Sequence, residues 1–492
     1  MSAPTSRRRA LLGPTVLGLV GSLAIVLAGP QLAGGAVRWW YHPALGGGAS
    51  DLLYGGMTAL VLAWGWLGSQ ARRRGVSARM VAVVAGAWAL PLLLGPPLFS
   101  HDLYSYLAQG TIAHLGLSPY RDPPSVLVHL GHPGVLRAVS PFWRGTTAPY
   151  GPMFLWLVSL TVGATGSNLV LGAIAVRLIE MGGLGLLVWG VPRLATRLGG
   201  SPALAQWLAV ANPLVLLGLV APGHNDLLMA GLTVAGAVVA LRGHPLAGIA
   251  ICALAATVKV PALAATVFVT FAWAGTLRGQ DRVGAVMRAG AVTLGVLGLV
   301  SLASGLGLGW LSSGVFSTPN RVHLAITPST ALGWSAAALL HDLGLGIGAR
   351  HLESVLGAVT LGVVAVFALV MLRDLRWQDL PQRLGLVLLA FAVGGPAAWP
   401  WYLSWGLVLV AASPMRPRVL AIAGLVSLAG AFVVKPNGIL ALPLGSAPIV
   451  LGVYVAGVGA AGWLWWRGRR RAPGPQPPPL ERSPAPELAQ IR

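Results

Sequence analysis

From Ala10 to about residue 466 the chain is a succession of apolar runs, interrupted at length only near 99–150 and 312–328, so it has too few polar residues to clothe a water-soluble globule. Charged residues are 9% of the 492, against roughly 25% in a soluble domain. The runs lie near 10–36, 51–69, 80–98, 168–191, 203–220, 226–241, 246–258, 261–275, 289–311, 351–372, 383–398, 402–413, 418–434 and 446–466. They predict an all-α polytopic membrane protein with about 14 (12–14) transmembrane helices. The stretch 246–275 reads equally as one helix broken at Pro261.

The net charge of +21 argues for no nucleic-acid partner, because the basic residues sit in short clusters between apolar runs instead of on one folded face. With both termini inside, 24 of the 33 basic residues fall on the cytoplasmic side, seven outside and two (Arg177 and Lys259) within apolar runs. That asymmetry follows the positive-inside rule and puts the longest loop, 99–150, on the outer face. Basic residues that are almost all arginine, with abundant alanine and glycine, look like a high-GC bacterial genome, so the membrane is expected to be a bacterial cell membrane. The count makes 151–166 and 329–345 juxtamembrane or re-entrant helices, since a crossing by either alone would carry the arginine clusters that follow to the outer side. Arg7–Arg9 before the first run resemble a signal-peptide start, but the run is long and further spans follow, so a retained first helix is expected. Residues 1–466 read as one transmembrane domain and 467–492 as a cytoplasmic, Pro-rich tail without a core. Cys252 is the single cysteine, which excludes an intramolecular disulfide.

With only 12 acidic residues, their positions are informative. Asp102 follows the third run in PLFSHDLYSYLAQG, flanked by His101, Tyr104 and Tyr106. A carboxylate at the membrane–water boundary suits a general base toward a hydroxyl; an N-cap of a juxtamembrane helix accounts for it equally well. His224, Asn225 and Asp226 form a polar triplet at an outer turn, suited to sugar hydroxyls or to capping. Lys259, beside Pro261, calls for an anion such as a lipid phosphate, or for snorkelling to the interface. Arg177 and Glu180, three residues apart in one apolar run, have the spacing of an internal ion pair. Tyr150 in APYGP lines a cleft or anchors the helix that follows. Trp401 and Tyr402 in WPWYLSW read as an interfacial aromatic belt or as a stacking surface for sugar. The HLGH at 129–132 is too sparse to hold a metal, and no glycine-rich stretch matches a phosphate loop.

In order and spacing, SHDLYSY, APYGP, NPLVLL with GHND, and KVPAL resemble the GT-C glycosyltransferases over roughly residues 50–440. Within them the chain is most similar to the bacterial polyprenyl-phosphomannose-dependent alpha-1,6-mannosyltransferases of the lipomannan core. The resemblance implies an inverting transfer of mannose from a polyprenyl-phosphate donor to a mannoside or glycolipid acceptor. It implies Asp102 as base, Lys259 (with Arg121 or Arg321) at the donor phosphate, and His101, Tyr104, Tyr150, His224–Asp226, Trp401 and Tyr402 around the sugars. Many relatives carry two adjacent acids where this chain has His101–Asp102, so neither metal nor other cofactor is expected. A transferase of another polyprenyl-phosphate sugar, such as arabinofuranose or glucose, has the same pattern. A lipid or sugar transporter is the rival class; it would need more ionisable residues in the spans and a symmetric pair of broken helices, which the sequence lacks.

Overall fold

The computed structural model describes residues 3–34, 40, 44–73, 75–166, 168–311, 323–324, 326–395 and 397–470. Arg321 and the tail from 471 lie outside them. The described chain is helical throughout, with one isolated β-bridge, between Val434 and Leu440.

Each apolar run becomes a helix. The N-terminal group is α1 (Ala3–Ala33), α2 (Ala49–Ala71) and α3 (Ala78–Leu94), followed in the long loop by α4 (Asp102–His114) and the single turn α5 (Pro133–Ala138). Next come α6 (Pro152–Thr165), α7 (Leu169–Arg197), α8 (Pro202–Ala209), α9 (Pro213–Val215) with a π-helical turn (Leu216–Val220), α10 (Asp226–Leu241), α11 (Pro245–Ala256) and α12 (Leu263–Ala274). The chain ends with α13 (Gly279–Ala303), α14 (Pro328–Asp342), α15 (Ala349–Leu372), α16 (Leu380–Gly394), α17 (Leu403–Val410), α18 (Pro417–Phe432) and α19 (Ala447–Arg470). Local chemistry sets many starts. Ser77, Asn168, Ser201, Asn212 and Thr327 each accept a backbone N–H of their helix's first turn. Proline opens α6, α8, α11, α14 and α18, where its missing N–H has no partner to lose.

Among the described residues, six helices are long and apolar enough to cross a bilayer unaided, which makes this a multi-pass membrane protein, and nine other apolar helices are shorter. At 14 residues α6 is too short to cross upright, and at 15 so is α14. The run at 246–275 breaks between α11 and α12, where residues 257–262 unwind into a turn and a 3₁₀ segment that contains Pro261.

Burial sorts the helices into shells. The α8–π segment is almost wholly enclosed, whereas α13 and α15 bury next to nothing and present their leucines and valines outward, as lipid-facing helices do. Hydrocarbon offers no hydrophobic drive for one helix to leave lipid for another, so close backbone approach has to hold the interior. At the α7–α10 crossing a Cβ on Gly231 would meet Gly183 O at 2.4 Å and its Cα at 2.7 Å. We therefore expect Gly231→Ala to force the two backbones apart, costing ~1–3 kcal/mol and lowering the thermal midpoint in detergent by several degrees. Gly182→Ala, whose Cβ would meet nothing within 4 Å, should leave the midpoint unchanged; equal shifts would refute the packing argument.

Candidate active site

Two buried charges one turn apart on α7 position the loops that carry the polar residues. They are not the ion pair that their spacing suggested. The fully buried Arg177 guanidinium donates to the carbonyls of Leu92 (2.8 Å), Gly95 (2.5 Å) and Ala221 (3.4 Å), and lies over the Trp40 ring. It thereby ties the C-terminal end of α3, which leads into SHD, to the segment that leads into GHND. Glu180 turns instead to the N-terminus of α10 and accepts the Leu228 N–H at 3.1 Å, where a carboxylate meets the positive end of the helix dipole. Gly223 passes against Arg177 and Leu103 at φ +73°, and a Cβ there would meet Arg177 Cγ at 2.5 Å and Leu103 Cδ1 at 2.6 Å, so glycine is required for both conformation and space.

Asp102 is the first residue of α4. The turn before it is pinned from an unforeseen side: Phe99 adopts a left-handed φ of 66° and donates its N–H to Pro436 O at 2.9 Å. Such a conformation is costly for a non-glycine residue and persists only where its surroundings impose it. Asp102 Oδ2 stands 3.6 Å from His224 Nε2. The other ring nitrogen of His224 donates to Gly218 O in the π-helical turn at 2.6 Å, and the ring stacks on Trp401 at 4.2 Å. Burial pushes the Asp102 carboxyl up, but the hydrogen bond and charge of His224, then Lys259 and the Trp143 indole, together hold it below the usual carboxylate value. His101 is lowered as well, its imidazole pushed down by burial more than the Asp102 charge and a backbone hydrogen bond at Gly34 raise it.

Lys259 emerges from the break between α11 and α12. Its ammonium donates to Asp226 Oδ1 at 2.8 Å and sits over the rings of Tyr402 (4.4 Å) and Trp405 (5.3 Å). Trp405 Nε1–H donates to the same oxygen at 2.5 Å. Gly151 of APYGP presses onto this break: it donates its N–H to Val258 O at 3.0 Å, and a Cβ on it would overlap the Thr257 carbonyl at 2.1 Å. APYGP and KVP, about a hundred residues apart, are thus one structural joint.

A cavity of about 530 Å³ opens at this joint. Its polar end is formed by Asp102, Trp143, Tyr150, Lys259, Tyr402 and Trp405; its long wall is Leu361, Val364, Ala365 and Ala368 of α15 with Val387, Leu388 and Phe391 of α16. Of the residues singled out from the sequence, Asp102, Tyr150, Lys259 and Tyr402 line it. Others do not. Tyr104 is fully buried and accepts the Trp40 indole N–H. His224, Asn225 and Asp226 are enclosed behind the polar end, so the triplet supports the cavity without lining it; it is Asp226 that neutralises Lys259. Trp401 is buried between Trp399 and His224. His101 is not among the lining residues, and Arg121 is exposed on a surface turn. Sequence reasoning missed Trp143, Trp405 and the α15–α16 wall. For Trp405 the signal was present: WPWYLSW is too rich in indoles for a belt that has only to touch headgroups. Among the described residues, no cluster of three or more His, Cys, Asp or Glu has metal-site spacing.

Because Asp226 is 1% exposed and Lys259 12%, losing either partner has unequal consequences. Lys259→Ala strands a carboxylate in the interior and should cost ~3–5 kcal/mol. In Asp226→Ala the ammonium remains in reach of the cavity, so the loss should be smaller. Adding Asp226→Asn to Lys259→Ala should recover part of the thermal midpoint; no recovery would show that the pair is not what the lysine stabilises.

Two family models match the chain. The alpha-(1->6)-mannopyranosyltransferase N-terminal domain covers residues 13–275, and the MptB C-terminal domain covers 329–466. Alpha-(1->6)-mannopyranosyltransferase A of Mycobacterium tuberculosis is 35% identical over 87% of this chain and 85% of its own length. A probable alpha-(1->6)-mannopyranosyltransferase of Mycolicibacterium smegmatis is 38% identical over 74% and 70%. The B enzyme of Corynebacterium glutamicum is 30% identical over 84% and 74%. No solved structure matches the chain. The chain belongs to the alpha-(1->6)-mannopyranosyltransferase family and is a membrane-embedded mannosyltransferase.

Proposed function

We propose that this mannosyltransferase is a GT-C-type enzyme that takes mannose from polyprenyl-phosphate-mannose and adds it, with inversion, to a mannoside or glycolipid acceptor. The products are alpha-1,6 linkages of a lipomannan-type mannan core, made on the outer face of the bacterial cell membrane. In this reading the fourteen runs cross the bilayer and both termini lie inside. The observation that carries it is one cavity joining a carboxylate, an ammonium and a long aliphatic wall. Those are the three chemistries a lipid-phosphate sugar donor presents: a reacting carbon, an anion and an isoprenoid chain. Because α15 is a lipid-facing helix, a donor's chain reaches the wall from within the bilayer without passing through water.

In the reaction we propose, Asp102 accepts the proton of the acceptor hydroxyl as its oxygen attacks the anomeric carbon. The bond from that carbon to the phosphate oxygen breaks on the opposite face, through a transition state with oxocarbenium character. Lys259 has one ammonium N–H engaged by Asp226; the other two are available to the phosphate oxygens, whose charge grows as the bond breaks. Tyr150 and Tyr402 flank the sugar. The donor is already activated, so neither nucleotide nor metal is required: Lys259 supplies the positive charge. Arg321 stays, in this reading, the candidate second cation for the donor phosphate beside Lys259.

Membranes holding the protein, given radiolabelled polyprenyl-phosphomannose and a short alpha-1,6-mannoside, should form the extended mannoside. Asp102→Asn should lower that rate by ~10²–10⁴-fold, the range for losing a general base, with donor binding retained. Near wild-type turnover would remove Asp102 from the mechanism. A chelator should leave transfer unchanged, and inhibition reversed by added metal would overturn the lysine's role. The carboxyl is held below its ordinary 3.8, so its basic form is fully present above that value and is lost only beneath it. Acceptor kcat/KM should therefore not decline through this group between roughly pH 7 and 5.

A further inference from the structure

A second polar region lies at the other end of the same helices. On α7, Arg177 borders the catalytic end and Arg197 closes the far end, roughly 30 Å away at 1.5 Å per residue. On α10 the separation from Asp226 to Arg242 is roughly 24 Å by the same rise. These spans match a bilayer's hydrocarbon thickness, about 30 Å, so this far end sits at the opposite headgroup layer.

Three adjoining hollows open there, of about 470, 380 and 510 Å³, and all three share Arg197 and Leu241. Arg193 and Arg242 line the first, Arg242 with Trp273 and Trp377 the second, and Arg376 with Trp377 the third. The charges are held in place by indoles: the guanidiniums of Arg193 and Arg242 lie over the Trp189 ring at 4.8 and 5.4 Å. Among the described residues, none of Arg193, Arg197, Arg242 and Arg376 has a carboxylate within ion-pair distance. The neighbouring acids are engaged elsewhere, Asp374 with Arg373 and Asp379 with Arg383. A concave set of uncompensated guanidiniums, floored by Leu194, Val238 and Leu241 and rimmed by tryptophan, is complementary to a phosphate carried on an acyl chain. A freely dissolved anion would gain nothing from the apolar floor.

We propose that this arginine–tryptophan furrow, remote from Asp102, binds the phosphate headgroup of an anionic phospholipid. The site is independent of the transfer chemistry. Purified full-length protein is titrated in detergent with phosphatidylglycerol or phosphatidylcholine, and bound lipid is counted by native mass spectrometry. The wild type should retain phosphatidylglycerol in preference to phosphatidylcholine. The triple variant Arg197→Gln, Arg242→Gln, Arg376→Gln should bind phosphatidylglycerol about a hundredfold more weakly, the loss expected for three surface arginines. The comparison variant is Arg278→Gln, Arg416→Gln, Arg418→Gln, which removes the same charge from exposed positions outside the furrow; it should bind like wild type. Equal losses in the two variants would mean a diffuse basic surface and overturn the site. Displacement of the lipid by inorganic phosphate at matching concentration would make it a simple anion site and overturn the lipid assignment.

Discussion

The end of this protein that carries the Asp102–Lys259 cavity depends on how α7 disposes of two charges that the bilayer would otherwise forbid. An unpaired arginine or carboxylate at membrane depth is costly, and pairing Arg177 with Glu180 would have been the local remedy. Instead the guanidinium collects main-chain carbonyls from two other segments, and the carboxylate caps α10. Each charge is satisfied only when the SHD and GHND segments are in place. The desolvation that makes such charges expensive thus becomes the force holding Asp102 beside His224 and Asp226 beside Lys259, because displacing either loop exposes a buried charge without a partner.

The second joint works by exclusion of volume. Gly151 lets the APYGP turn reach the unwound break ahead of Lys259, where any side chain would strike the Thr257 carbonyl. A break in a transmembrane helix frees backbone groups that lipid cannot satisfy. Here they are taken up by APYGP, through Gly151 N–H to Val258 O and Met153 N–H to Thr257 O. The break is what lets a lysine stem from mid-sequence point into a cavity instead of lying along a helix surface.

Much of this was legible in the sequence. The apolar runs located every long helix, since the bilayer leaves the backbone almost no alternative. Asp102 and Lys259 stood out because ionisable residues at such positions are rare. Pairings between distant segments were not legible. Spacing along α7 suggested a local ion pair, because i,i+3 geometry is the only contact a sequence displays; carbonyls from α3 and the π-helical turn cannot be read from composition. The WPWYLSW stretch looked like a belt because tryptophan content marks interfaces whichever way the rings face. Only the fold shows Trp401 stacked on His224 and Trp405 donating to Asp226. Tyr104 and Arg121 illustrate the opposite error: proximity in sequence to Asp102 and residence in an outer loop did not bring them to the cavity.

The charge balance of the cavity bears on the order of events in the proposed transfer. Lys259 is neutralised by a carboxylate that is itself almost entirely sealed from solvent, so the resting ion pair does not need the donor in order to persist. Asp226 also receives the Trp405 indole N–H on the oxygen that meets the ammonium, which lowers that oxygen's hold on the lysine. An arriving phosphate therefore meets a cation fixed by Tyr402 and Trp405 on its aromatic side and only partly spent on its acidic side. Removing Asp226 to free the lysine would give a stronger phosphate site but a poorer enzyme, since an ammonium bound tightly to phosphate in the ground state must be displaced before the product lipid leaves. In the proposed transfer the pair would keep the cation in place between turnovers and leave its remaining N–H groups for the charge that develops only as the bond to the phosphate breaks.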